Sequence, residues 1–513
     1  MFPLNGAYIS IGRYRKTIET AFSCFLSNSA KGEFPEKDYS WLCCAKHQYL
    51  RQPYFHEPRL NDSAAAVGLR VKAAGIATRE EIESVVAGLL REEAAQAQTN
   101  GSNSPYSRYG FGLLGDGAGA FNKGMSGLAY GMRNGKELNT QNPASYSAID
   151  SLTFLFDFGA SFQNANLDAG NQKLNAKNTS VDYVTMGFRV APKLGLALGL
   201  RPFSTIGYKV TSYSSFTSME GAGVTQTQTF QGDGGLHEAF LGLGWSPVKN
   251  LSLGANIGYL WGNLYHTVYS EYSDASINKV QQIYDTDMRT FQADFGLQYE
   301  YRLHRNHMLI LGATYGLGHN LRSDAFYYNQ NIASSSSTAT DTLVASHGYD
   351  LPHTFGAGLA WDYKGRLRVG FDYTMKLWSK AKSPLLTTDE YSQQHYVSQT
   401  GAYDDQQTFT VGAEYVPDPE GLKWRKKIRY RAGFSYSTPY AKINGQKGPA
   451  DYCASVGAAF PIINTHNNRS FLNVALQYEH AEPKSPGMIK ENYLRISVGI
   501  TFNERWFMKW KAE

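Results

Sequence analysis

The chain has 513 residues and a formal net charge of +5, from 49 Lys and Arg against 44 Asp and Glu. Charged residues make up only 18% and aromatic residues 14%, with 35 Tyr and 27 Phe, whereas soluble proteins carry roughly 25% charged residues. The small net charge and the absence of a basic stripe argue against nucleic acid as a partner. No stretch approaches the roughly 18 consecutive apolar residues that a membrane helix needs.

Residues 1–97 differ in character from everything after them. Ser63 to Gln98 is Ala-rich and looks helical, and Ala95 to Ala97 resembles a signal-peptidase site. However, Arg91 to Glu93 interrupt the apolar region that should precede such a site. We therefore predict an N-terminal extension, partly helical or disordered, that reflects a mis-assigned start or a disrupted signal region. A genuine periplasmic helical domain is the alternative.

From Ser151 to Phe502 the chain repeats a pattern of about ten residues in which every second side chain is apolar. The first repeat, Ser151 to Gln163, places Phe154 and Phe156 on one face and mostly small or polar residues on the other. A strand with period 2 separates these two sets. We count fourteen such strands, separated by tight turns and long polar loops. The sequence therefore predicts an all-β fold, a transmembrane antiparallel β-barrel of about 14 strands over residues 151–513.

Charged residues of the strands keep a constant phase opposite the apolar stripe. An Arg that faces lipid at mid-bilayer costs about 2–4 kcal/mol, so we assign these side chains to the lumen. They are Asp157, Arg189, Asp294, Glu300, Arg368, Asp372, Glu414, Arg429, Arg431, Glu479 and Arg495. Because both signs occur, we predict a polar network of ion pairs that ties the wall to an internal plug. Direct contact with a transported molecule is the alternative role.

Three segments resemble the FadL-type outer-membrane transporters of hydrophobic compounds. Gly124 to Asp150 (GMSGLAYGMRNGKELNTQNPASYSAID) is similar to their N-terminal hatch and includes the Asn-Pro-Ala motif at Asn142, Pro143 and Ala144. Leu351 to Gly358 resembles the Leu-Pro-x-x-Phe pattern of the family, and Arg431 to Pro439 its Arg-x-Gly-x-x-Tyr-x-x-Pro segment. The similarity extends from about Pro105 to Phe502.

The resemblance implies a fourteen-stranded barrel plugged by a hatch, here residues 98–150. Its many glycines make this segment too flexible to fold alone but suited to close backbone packing inside a lumen. The family is understood to take up hydrophobic molecules without an energy source and to release them sideways at a kinked third strand. By this resemblance, apolar residues of the hatch would line a ligand pocket, with Phe111, Leu113, Leu114 and Phe121 as the candidates.

The third strand contains a proline in its interior. Pro202 has no N–H for the ladder, and proline in sheets is confined mainly to edges and bulges. We therefore predict broken pairing and a lateral opening at Arg201, Pro202, Phe203 and Ser204, after which the strand resumes as Ile206 and Tyr208. In the alternative interpretation the strand ends at Leu200 and a loop begins.

Nothing in the sequence indicates catalysis. His237, His319 and His353 are the histidines worth checking, but none lies in a nucleophile motif. The Gly-rich strings near residue 115 lack the Lys-Ser/Thr pair of a phosphate loop. We expect a protein that is not an enzyme and has no cofactor and no metal site.

We predict a channel in the bacterial outer membrane for passive uptake of hydrophobic or amphipathic small molecules, with lateral release near the kink in the third strand. Its partners would be outer-membrane lipid and a hydrophobic ligand or detergent. The alternative is a FadL-like barrel that serves as a structural or docking component of an outer-membrane secretion or assembly complex, with a protein partner at the extracellular loops. A continuous apolar tunnel ending at Pro202 would favour transport; a filled lumen with an ordered, apolar extracellular rim would favour docking.

Overall fold

The computed structural model describes residues 104–151, 153–170, 173–217, 223–333, 338–421, 423–462, 470–485 and 488–505, which all belong to the compact unit 91–513. The predictions for residues 1–97 lie outside these ranges, as does the C-terminal tail after Arg505. Within them, no helix combines the length and the apolar character needed to cross a bilayer.

Fourteen antiparallel strands of the described chain close into one barrel, as predicted. They are β1 (Thr153–Asp168), β2 (Lys173–Ala191), β3 (Leu194–Pro202 and Ser204–Thr217), β4 (Gly223–Val248), β5 (Leu251–Tyr272), β6 (Lys279–His304), β7 (His307–Gly316), β8 (Thr354–Tyr363), β9 (Leu367–Lys376), β10 (Gln406–Tyr415), β11 (Arg429–Ser437), β12 (Ala450–Ile462), β13 (Ser470–Glu482) and β14 (Lys490–Arg505). The barrel closes where β14 pairs with β1, from Lys490 opposite Asp168 to Arg505 opposite Thr153.

The alternation predicted from the sequence is present on the wall. In β1, Leu155 and Asp157 are buried inside, whereas Phe162 is 53% exposed on the outer face. Large apolar side chains remain exposed around the barrel, a distribution that fits lipid and not water. This outer band includes Leu198, Leu241, Ile257, Phe291, Leu311, Phe371, Val411, Phe434, Val456, Leu476 and Ile496.

Several strands are much longer than the predicted ten residues. β4 and β6 each have 26 residues, and most of the loop expected at Ser270 to Asp285 belongs to strands. These outer extensions are rich in Thr, Gln and Ser and so lack the apolar alternation that marks a membrane strand. A hairpin, Ala325–Ile332 and Thr338–Ala345, pairs with the extension of β6. Because turns are short at one end and connections long at the other, we take the long end as extracellular.

The loop predicted over Ser379 to Asp404 also contains structure. Ser383–Thr388 pairs with Gln394–Gln399 in an extracellular hairpin. Leu385 and Val397 face each other across this hairpin and are 48% and 41% exposed. The extracellular rim is therefore ordered and partly apolar.

Candidate functional site: the lumen and the break in β3

The described part of the hatch, residues 104–151, packs inside the barrel against inward-facing glycines of the wall. A Cβ at Gly312 would lie 2.0 Å from the Tyr130 carbonyl oxygen, and one at Gly254 would lie 2.3 Å from the carbonyl carbon of Pro143. Both distances are too short for a real Cβ atom. The glycines whose Cβ would come within 2.0–2.9 Å of hatch atoms are Gly187, Gly195, Gly242, Gly244, Gly254, Gly296, Gly312, Gly356, Gly358, Gly412, Gly433, Gly457 and Gly499.

The Asn-Pro-Ala motif forms a capped turn against this belt. Asn142 caps the short 3₁₀ helix Pro143–Ala148, with its Oδ1 accepting from the Ala144 N–H at 3.2 Å. Its Nδ2 donates to the carbonyl oxygens of Tyr130 (2.9 Å) and Leu297 (3.3 Å). One buried side chain thus joins the turn, an earlier part of the hatch and strand β6.

A buried ionic cluster fastens the hatch to strands β8 to β11. Arg431 donates from Nε to Glu414 at 2.9 Å and from Nη2 to Glu137 of the hatch at 3.0 Å. Arg429 approaches both carboxylates at 3.4 Å, and Arg368 joins Glu414 to Asp362 at 3.3 and 2.5 Å.

Three arginines thus face three carboxylates, so the cluster is neutral as a whole. The Glu137, Glu414 and Arg431 side chains are at most 1% exposed. A buried charge is tolerated only when it is paired in this way.

Further contacts hold the hatch along its length. The Oδ2 of Asp372 accepts from the N–H groups of Ala129 (2.6 Å) and Tyr130 (2.8 Å). Arg133 pairs with Glu300 at 2.8 Å, and Lys123 pairs with Asp182 at 2.6 Å. The hatch is therefore fixed to opposite sides of the wall.

The other residues assigned to the lumen network lie apart from this cluster. Asp157 accepts from the Tyr183 hydroxyl at 3.0 Å, and Asp294 accepts from Gln292 at 3.2 Å. Arg495 pairs with Glu479 at 3.4 Å and donates to Gln163 at 2.8 Å. Arg189 donates to the carbonyl oxygen of Ala191 at 3.2 Å.

An apolar and aromatic layer, which we call the roof, fills the lumen on the extracellular side of the hatch. Trp378 lies at its centre, 5.4 Å from Phe111, 5.5 Å from Tyr403 and 5.0 Å from Tyr440 between ring centroids. The Tyr440 hydroxyl donates to the carbonyl oxygen of Gly112 at 2.5 Å. Burial raises the pKa of Tyr403 well above its ordinary value, so its hydroxyl stays neutral. The roof is thus buried and joined directly to the hatch.

The four predicted pocket residues do not all lie in one apolar cluster, although Leu114 packs against the roof. Phe111 belongs to the roof, whereas Phe121 lies in a separate cluster with Met125 of the hatch, and both phenylalanines are fully buried. Leu113–Leu114 forms a two-residue strand. A groove of about 350 Å³ lies on the outer wall, around Phe434 and Tyr478.

The third strand is broken at Phe203, between Pro202 and Ser204. Up to Pro202 it pairs with β4, and up to Leu200 it also pairs with β2. Beyond the break it continues pairing with β4 as far as Thr217, but it no longer pairs with β2. The strand therefore does not end at Leu200.

The break also changes which face of the strand is buried. Leu200 is 46% exposed, whereas Ile206 and Tyr208 point into the roof and are 0% and 5% exposed. Strict alternation from Leu200 would place Ile206 outside, so the irregular Phe203 shifts the phase by one residue.

All four residues of the predicted lateral opening pair with or donate to other segments of the chain, as follows. Arg201 pairs with Glu238 at 2.7 Å and donates to the Gly117 carbonyl oxygen at 3.2 Å. Phe203 donates to Leu236 at 2.7 Å and accepts from the Gly115 N–H at 2.8 Å. Pro202 lies opposite His237, and Ser204 opposite Leu114. Hatch backbone thus covers the break from the inside.

Sequence reasoning missed three residues, Glu137, Arg133 and Trp378. Glu137 and Arg133 join the hatch to the wall, and Trp378 lies at the centre of the roof. Glu137 and Arg133 lie in a segment without periodicity, so nothing marked them as buried. Trp378 lies just beyond the last residue of β9, where alternation stops. Among the described residues no group of His, Cys, Asp and Glu could hold a metal ion.

Comparisons with known proteins identify a family and a fold. Residues 82–513 match the family model described as BamG. Curated proteins give no significant sequence match.

Solved structures with a similar fold include a Pseudomonas aeruginosa FadL homologue (12% identity, TM-score 0.52, covering 76% of this chain and 99% of that one). The Ralstonia pickettii toluene transporter TbuX has 14% identity and a TM-score of 0.51, covering 76% of this chain and 99% of that one. The P. putida toluene transporter TodX has 13% identity and a TM-score of 0.51, covering 77% of this chain and 100% of that one. At these identities the likeness concerns the fold, which is the predicted FadL-type barrel.

Proposed function

This chain belongs to the BamG family, and we propose that it is a bacterial outer-membrane barrel that serves as a docking component of a protein assembly. The closed lumen carries this proposal. The hatch is joined to the wall by a neutral ionic cluster, and the roof seals the space above it. The apolar outer band supports the location in the outer membrane.

The extracellular rim supports the same role. The hairpin around Leu385 and Val397 is ordered and presents both side chains to solvent, and Tyr391 at its tip is 85% exposed. Exposed apolar residues held on an ordered element are typical of protein contact surfaces.

The experiment isolates the tagged full-length protein from its own membranes in mild detergent. We expect a stoichiometric protein partner, and we expect that removal of the gene leaves toluene accumulation by the cells unchanged. Saturable toluene uptake that disappears with the gene, together with a barrel isolated alone, would contradict the docking role.

Passive uptake of hydrophobic compounds is the second candidate, and the break in β3 favours it. Beyond Leu200 the third strand loses its pairing with β2, which offers a lateral exit toward lipid between these two strands. The solved neighbours named as toluene transporters have the same fold. Pro202→Ala tests this candidate: it should lower uptake of a hydrophobic substrate without lowering the amount of barrel. Unchanged uptake would count against lateral release.

A further inference from the structure

In the described part of the chain, the break in β3 leaves most of one edge of the barrel wall without a neighbouring strand. Beyond Phe203 the segment Ser204–Thr217 pairs with β4 on one side. On the other side, its pairing among the described residues is with the hatch, through Leu113 opposite Thr205 and Leu114 opposite Ser204. The adjacent part of β2, residues 173–182, pairs with β1 only. Two strand edges therefore flank the same gap in the described wall.

The hatch already uses this edge in the way an added strand would. Next along β3, the N–H of Gly207 also faces the gap and donates to the Ser107 hydroxyl of the hatch at 3.3 Å. Alternate residues of a strand direct their backbone N–H and C=O groups to the same side. Because the N–H of Gly207 faces the gap, the backbone groups of every second residue after it also face the gap. Those of Lys209, Thr211, Tyr213 and Ser215 have no hydrogen-bond partner among the described residues.

From Val210 onward, this edge lacks the features that normally prevent strand pairing. Proteins protect free edges with charges, prolines or bulges. After Lys209 the edge runs to Thr217 without a charged residue or a proline, and it pairs with β4 without a bulge. Tyr213 is 71% exposed beside it, which provides an aromatic surface for a side chain of a neighbouring strand.

We infer that this free edge of β3, from Lys209 to Thr217, binds an extended segment of a partner protein as an added β-strand. The inference rests on the proposed docking function and specifies how the partner is held. Main-chain hydrogen bonds to the four outward residues would supply affinity, as in other cases of strand addition. Lys209 on this edge and Lys177 on the facing edge of β2 favour a segment that carries an acidic residue.

The test compares amide hydrogen exchange, resolved to single residues, in the isolated full-length barrel and in the complex purified from membranes. We expect the Thr211 and Tyr213 amides to exchange at least tenfold more slowly in the complex. The Ser212 and Ser214 amides, which face β4, should be protected equally in both samples. An intact complex in which Thr211 and Tyr213 exchange as fast as in the isolated barrel would overturn strand addition and leave docking standing. If no partner is isolated at all, both proposals fail.

A matched pair of variants supplies a second readout. Thr211→Pro removes an N–H that has no partner among the described residues, whereas Thr211→Ala keeps it. We expect Thr211→Pro to lower recovery of the partner at least tenfold and Thr211→Ala to leave it unchanged, with the barrel folded in both. Equal recovery with both variants would overturn the inference, as would cross-linking of the edge to the N-terminal residues of this same chain. Tyr213→Pro against Tyr213→Ala repeats the test if Thr211→Pro does not fold.

Discussion

The ionic cluster around Arg431 predicts a large stability loss when one member is removed. Arg431→Met removes the donors to Glu414 (2.9 Å), Glu137 (3.0 Å) and Asn473 (2.6 Å) while nearly preserving the length of the side chain. Glu137 then keeps the neutral Asn134 Nδ2 donor at 2.8 Å and the approach of Arg429 at 3.4 Å. Breaking a buried ion pair on one side costs about 3–5 kcal/mol, because the remaining charge is left buried. We expect a loss of that size in the free energy of unfolding.

The measurement is guanidinium unfolding of the refolded barrel in detergent micelles, with Arg302→Met as the control. Arg302 is exposed near the turn between β6 and β7, and such surface changes stay within about 0.5 kcal/mol. A double variant, Arg431→Met with Glu137→Gln, should lose less than the sum of the two single variants, because it removes both members of the pair. A loss below about 1 kcal/mol for Arg431→Met would refute the assignment of this cluster as the main hatch anchor.

Three other predictions concern the hatch and the roof. Gly312→Ala should destabilise the barrel by about 1–3 kcal/mol in the same unfolding assay, because its Cβ would meet the Tyr130 carbonyl oxygen. The control is Gly223→Ala, whose Cβ meets nothing within 4 Å. Equal effects of the two substitutions would contradict close hatch packing. Asn142→Ala should cost at least about 1 kcal/mol through the lost cap. Asn142→Asp keeps the cap acceptor but turns a buried carboxylate towards the carbonyl oxygens of Tyr130 and Leu297, so it should cost at least as much. An Asp variant as stable as the parent would exclude the Nδ2 hydrogen bonds as a hatch contact. Trp378→Ala should cost about 3–5 kcal/mol and should raise ion conductance across planar bilayers above that of the parent barrel, whereas unchanged conductance would show that the hatch alone seals the lumen.

The position and phase of the membrane strands followed from the sequence because lipid on one side and a polar lumen on the other impose a period of two. Arg368, Asp372 and Arg431 could be assigned to the interior without a structure, since an outward position would be costly. The candidate pocket and the lateral opening remain predictions, because periodicity constrains the wall and not the space inside it.

By itself, the sequence determined the barrel, its strand count and which charges face inward, all through local alternation. Only the tertiary structure decided which partners those charges take, because Glu137 and Arg431 lie 294 residues apart and meet only when the barrel closes around the hatch. The same holds for the roof, where Phe111, Trp378 and Tyr440 come from separate segments. The inward turn of Ile206 also depended on the fold, since a single irregular residue reverses every side chain that follows it.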